Sequence, residues 1–94
     1  MLKTLEDLIN IIRDRKSSSD DSSYTSKLLK NRSLSVEKVK EEIAELIEAV
    51  ENNSNKIHEA ADVLYHLLVY LEGNGVSIED IMDELEKRKK KKES

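Results

Sequence analysis

Ninety-four residues with a net charge of −4, no cysteine and three aromatic side chains (Tyr24, Tyr65, Tyr70) fit one domain spanning 1–94, and they exclude disulfides and thiolate metal sites. A core drawn from Leu, Ile, Val and Ala at 37% apolar content is marginal for a single copy, so a homodimer or larger homo-oligomer is expected. The start, residues 1–7, lacks the apolar stretch of a signal peptide, and the longest apolar run, 63–71, is broken by His66 and too short to span a bilayer. The expected compartment is the cytoplasm, with no membrane partner.

The charge is unevenly spread. Lys87, Arg88 and Lys89 to Lys92 form a basic tail (87–94), and removing it leaves ten basic against nineteen acidic side chains in residues 1–86. An acidic body attracts cations, so a phosphorylated substrate would need metal ions as a bridge. The basic run reads as a helix end whose cations complement the macrodipole, and no nucleic-acid partner is expected.

In chain order, Leu5, Leu8, Ile9 and Ile12 recur at helical spacing and predict a helix over 4–16. Residues 16–23, with five Ser and two Asp, read as a polar loop, and 24–31 as one short additional helix. Val36, Val39, Ile43, Ile47 and Val50 predict a helix over 35–51. Ile57, Ala60, Ala61, Leu64, Leu67, Leu68 and Leu71 predict another over 54–72, ended by Gly73-Asn74-Gly75. Ile78, Ile81, Met82 and Leu85 mark a last helix over 77–90. Thr4, Ser35, Ser54 and Ser77 are the expected N-caps. With no proline and no period-two alternation, the class is all-α, a four-to-five-helix bundle of antiparallel neighbours.

The chemistry concentrates on two of these helices. Glu42 and Glu45 are three apart, as are Glu59 and Asp62, so each pair shares a helix face. Thirteen residues separate Glu45 from Glu59, room for a hairpin that aims both pairs at one place. In the helix 54–72, Glu59, Asp62 and His66 form a stripe opposite Ile57, Leu64, Leu68 and Leu71, and the helix is apolar nearly all round, hence expected to be buried. Buried carboxylates are costly unless paired or bound to metal. An all-oxygen cluster suits Mg²⁺, with Mn²⁺ as the alternative. His66 reads as a satisfied core or interface histidine.

These residues resemble a known pattern. Glu-x-x-Glu, thirteen residues and Glu-x-x-Asp are similar to the metal motif of the all-α nucleotide pyrophosphohydrolase (MazG-like) superfamily. Within it, Ser23-Tyr24-Thr25-Ser26-Lys27-Leu28-Leu29, Lys38-Val39-x-Glu41-Glu42-x-x-Glu45, residues 59–69 and 75–81 resemble the phosphoribosyl-ATP pyrophosphohydrolases. One departure is Lys40, where that family commonly has Gly. The resemblance implies a MazG-like bundle and hydrolysis of phosphoribosyl-ATP to phosphoribosyl-AMP and pyrophosphate, the second step of histidine biosynthesis. It further implies Mg²⁺ held by Glu42, Glu45, Glu59 and Asp62. Glu41 or one of those four would act as proton acceptor. Lys27, with Tyr24 and Thr25 of its segment and Lys38, would face the substrate, Arg13 and Arg15 being further cations within reach. Two other readings stay open. One is a house-cleaning pyrophosphohydrolase of non-canonical nucleoside triphosphates; the other is a helical interaction module whose acids are simply solvated.

Overall fold

The computed structural model describes residues 2–93; of the basic tail, the side chains of Lys92 and Glu93 and all of Ser94 lie outside the described residues, as does Met1. Five helices follow one another: α1 Lys3–Ser17, α2 Tyr24–Lys30, α3 Arg32–Glu51, α4 Lys56–Gly73 and α5 Ile78–Glu93, with no strand among the described residues. The all-α expectation holds, and the short helix at 24 is present.

Local chemistry fixes where these helices begin. Ser23 caps α2, its Oγ accepting from the Ser26 backbone N–H at 3.0 Å. Ser77 caps α5 as expected, accepting from Asp80 N–H at 3.2 Å. Three expected caps are corrected. α3 starts earlier because Asn31 Oδ1 accepts from Leu34 N–H at 3.1 Å, which leaves Ser35 buried inside the helix. α1 begins ahead of Thr4 at Leu2, and α4 follows Asn55, both without a side-chain cap. Asn53 and Asn55 take φ of 53° and 49°, the left-handed conformation that Asn tolerates better than most residues, and they reverse the chain between α3 and α4. Gly75, at φ 75°, ends the turn after α4, and Val76 N–H reaches back to Leu71 O at 2.9 Å.

α3 and α4 make the most extensive contact, while α2 wedges among α1, α3 and α4. The core is small: Ile9, Ile12, Leu28, Leu68 and Val69, with Leu5, Leu8, Leu29, Leu34, Tyr65 and Ile78 around it. α5 lies closest to α4, with Ile78 at its start reaching the core.

A clamp holds that last junction. Arg13 donates from Nε and Nη2 to the two Glu72 oxygens (3.1 and 3.0 Å) and from Nη1 and Nη2 to Glu79 (3.0 and 2.6 Å), while Lys16 Nζ donates to Glu72 O at 2.6 Å. The guanidinium holds the Glu79 carboxyl down at about 2, well below its usual value. Arg13 is therefore committed to structure, and the expectation that it reaches substrate phosphate is withdrawn.

The expected burial of the helix 54–72 is also corrected. Glu59 and Asp62 are partly buried against α3, whereas Ile57 (89% exposed) and Leu64 (52%) face solvent. Ile43, Ile47 and Val50 of α3 are likewise exposed. The acids point at the neighbouring helix and the apolar stripe divides, Ile57 and Leu64 turning outward while Leu68 stays in the core. The shape agrees: a radius of gyration of 15.0 Å exceeds the about 12 Å of a compact domain this long. The accessible surface of 7031 Å² exceeds the about 5,500 Å² expected for the mass.

Candidate active site and metal cluster

The α3–α4 hairpin brings the two acidic pairs together. Carboxylate oxygens of Glu42, Glu45 and Glu59 lie within 4.8 Å of one another, and so do ligand atoms of His58, Glu59 and Asp62. Glu59 belongs to both sets, so the four predicted acids form one continuous cluster with an imidazole at its edge. Glu42 is 9% exposed, and its Oε2 has no hydrogen-bond partner; Glu59 Oε2 is buried in the same condition. Orphaned, buried anionic oxygens are expensive, since each forfeits its hydration without replacement.

The electrostatics carry the same message. Burial, then the neighbouring Glu45 and Asp62 charges, push the Glu42 carboxyl above its usual value. Burial, then Glu45, does the same to Glu59. Like charges crowded in a water-poor place resist joint ionisation. A bound cation would reverse that penalty, and an all-oxygen donor set at Glu42, Glu45 and Glu59 fits a hard divalent ion.

Beside the cluster stands a polar aromatic group. His66, 7% exposed, directs Nδ1 at the Asp62 carbonyl oxygen (2.9 Å), which can only accept, so Nδ1 is the donor. Its Nε2 then accepts from the Tyr24 hydroxyl at 3.0 Å. One residue along each helix, Thr25 Oγ1 bonds the Tyr65 hydroxyl. Two side-chain bridges thus tie the start of α2 to the acid-bearing stretch of α4. The expectation of a satisfied histidine holds, and the sequence signal for its partner was only the helical register of His66 with Asp62.

The remaining expected site residues fall into two places. Lys38 donates to Glu41 at 3.4 Å, and its ammonium is held above its usual pKa by Glu41 first, then by Tyr24 and Glu42. Tyr24, raised chiefly by burial, feels Lys38, Glu42 and Glu41 in turn. Lys38, Tyr24 and Glu41 therefore border the cluster on the Glu42 side. Glu41 stays outside the group of converging carboxylates, half exposed. Lys27 lies on α2 and is exposed, and its ammonium makes no ion pair or hydrogen bond among the described residues. Arg15 is exposed on α1, and Lys40 on α3 is exposed too, away from any ligand role. Sequence reasoning missed His58 and the Arg13–Glu72–Glu79 clamp; the first could have been found from its i,i+4 spacing to Asp62.

Comparison with known proteins decides the family, because the family model described as phosphoribosyl-ATP pyrophosphohydrolase matches residues 5–89. The chain belongs to the phosphoribosyl-ATP pyrophosphohydrolase family. A phosphoribosyl-ATP pyrophosphatase of Methylobacterium nodulans is 46% identical over 88 residues, covering 90% of this chain and 82% of that protein. Another, of Methanosarcina acetivorans, is 41% identical over 95 residues, covering 96% and 91%. The histidine biosynthesis bifunctional protein HisIE of Pyrococcus furiosus is 43% identical over 90 residues, which is 95% of this chain and 43% of that longer protein. Among the described residues of this family member, no helix is long and apolar enough to cross a membrane.

Proposed function

We propose that this chain, as one domain over 1–94, hydrolyses phosphoribosyl-ATP to phosphoribosyl-AMP and pyrophosphate in the cytoplasm, the second step of L-histidine biosynthesis. The observation that carries the reading is the convergence of four carboxylates from two helices with two buried, unpartnered oxygens among them, in a chain of this family. Glu42, Glu45, Glu59 and Asp62 would hold Mg²⁺, or Mn²⁺ in its place. When bound, such an ion offsets phosphate charge and lowers the pKa of water.

The chain's own residues supply the rest. Lys27, whose ammonium is uncommitted, and Lys38, at the border of the acids, take the outer phosphate oxygens. Tyr24 and Thr25, held by His66 and Tyr65, fix the position of the segment that carries Lys27. The attacking water gives its proton to Glu41 or Glu45, both accessible to solvent, as the anhydride between the α- and β-phosphoryl groups breaks. Pyrophosphate leaves and phosphoribosyl-AMP remains.

The working form is a homodimer or larger homo-oligomer. The surface excess of about 1,500 Å² over a compact chain of this mass and the outward Ile43, Ile47, Val50, Ile57 and Leu64 support it. The test of function is pyrophosphate release from phosphoribosyl-ATP compared with ordinary and modified nucleoside triphosphates, in wild type and Asp62→Asn. Release from phosphoribosyl-ATP that vanishes in Asp62→Asn is expected. Preference for modified triphosphates would return the house-cleaning reading, and release from none of them would return the interaction module.

A further inference from the structure

We infer that α5 is a self-pairing helix: the α5 of a second copy lies antiparallel across the groove between α1 and α5, so that the acidic half of each helix meets the basic half of the other. This contact is separate from the outward stripe of α3 and α4, and it needs neither that stripe nor the reaction proposed above.

The sequence of α5 is divided by sign. Residues 78–86 carry five acids and no base, and residues 87–92 carry six bases and no acid. Cations at a helix end complement its macrodipole, but that effect does not account for the apolar side chains this helix leaves in water. Every residue from Met82 to Lys91 is exposed, Met82 and Leu85 at 49% each. Helices shorter than about 12–15 residues are marginal in water without a packed face, so this bare stretch gains from a partner.

The groove beside the helix says what kind of partner fits. It encloses about 540 Å³ over an apolar floor that includes Leu5, Ile9, Ile78 and Met82. Its rim carries Glu6, Glu79 and Asp83. Glu79 is taken by Arg13, while Glu6 and Asp83 make no ion pair among the described residues. An apolar floor with an anionic rim matches Lys and Arg, whose aliphatic stems lie on apolar surface while their heads reach outward to charge. α5 cannot fill its own groove. It runs unbroken from Ile78 to Glu93, and at 1.5 Å per residue Lys89 stands roughly 16 Å along the axis from Ile78. The cations must come from another molecule, and a second copy presents them on the matching face. Lys89 and Lys90 lie two turns beyond Met82 and Asp83, on the same side of the helix. Antiparallel pairing makes the contact isologous, each acidic half meeting the other's basic half at once. The two-fold axis then falls near Leu85, where the apolar stripe meets the change of sign.

The chain has no cysteine, so Leu85→Cys gives each copy a single thiol beside the inferred axis. The experiment treats the full-length variant with a short bismaleimide at micromolar protein and reads the covalent dimer on a denaturing gel. A dimer band is expected at low salt, and it should fade at about 1 M salt, where the Debye length is about 3 Å. In the same background, Asp83→Lys with Glu86→Lys, and Lys89→Glu with Lys90→Glu, should each abolish the band. Mixing the two charge variants should restore it. Circular dichroism checks that each variant alone is folded. No band at low salt overturns the inference, as does a band indifferent to salt and charge reversal, or one that forms only with added RNA. A band that mixing fails to restore between two folded variants overturns it too. Sedimentation as an oligomer without the band leaves the α3–α4 contact standing.

Discussion

Glu42→Gln isolates the oxygen that the fold leaves without a partner. In the ion-free protein this carboxyl is buried beside Glu45 and Asp62, and its Oε2 is unsatisfied. An unpaired buried polar atom costs about 1–3 kcal/mol. A neutral amide of the same shape can donate to Glu45, so the variant should melt higher than wild type in chelator, by about 4–24 °C at the roughly 4–8 °C per kcal/mol of a domain this size. Metal reverses the order. Ligand at a hundred times its dissociation constant adds about 2.7 kcal/mol to the native state, which is roughly 10–20 °C on the same scale. The variant, lacking one anionic ligand, should forgo most of that gain. The assay is thermal melting at fixed protein concentration, with chelator and with saturating Mg²⁺. The pH dependence checks the cause. Raised carboxyl pKa values mean a contribution fully present below the ordinary value of 4.5 and lost as pH rises through the raised ones, so ion-free wild type should weaken across that window more than Glu42→Gln. If the two proteins melt in the same order with and without Mg²⁺, the carboxylates are not gathered for a cation and the site reasoning fails.

Three further outcomes are expected. Lys27→Ala should lower kcat/KM by tenfold or more, of the order of one charge-assisted phosphate contact, with an unchanged melting temperature; unaltered steady-state kinetics would make Lys27 an ordinary surface lysine. Arg13→Met leaves the buried Glu72 carboxylate unpaired and should destabilise by about 3 kcal/mol, the low end for breaking a buried pair, measured by urea unfolding. Wild-type stability from the Arg13–Glu79 pair is present above pH 4.5 and is lost as pH falls toward about 2, a slope that the Arg13→Met variant should lack. Leu64→Glu, on the outward stripe of α4, should shift sedimentation toward the monomer, and an unchanged profile would move the interface elsewhere.

The helix class and the chemistry were legible in the chain itself. Helical recurrence of apolar residues, the absence of proline and the three-residue spacing of each acidic pair are local facts, and a helix of fixed pitch converts them into faces without help from the rest of the fold. The cap positions were less legible, because Ser and Asn compete for the same N-terminal role. At α3 the Asn31 side chain takes the cap in place of Ser35, while α4 follows the left-handed Asn55 with no side-chain cap at all. What the tertiary structure alone decided is which face of α4 turns inward. Periodicity marks Glu59, Asp62 and His66 on one side and Ile57 and Leu64 on another, but says nothing about which side meets α3. The fold points the acids at their counterparts and leaves Ile57 and Leu64 outside, while Leu68 of the same stripe joins the core. Likewise, Arg13 and Lys27 are both cations of an acidic chain, and only long-range packing determines that the first is clamped by Glu72 and Glu79, fifty-nine and sixty-six residues away. Sequence spacing fixes contacts within a helix; contacts between helices depend on how the whole chain closes, because that closure sets which charges lose their water and which partners replace it.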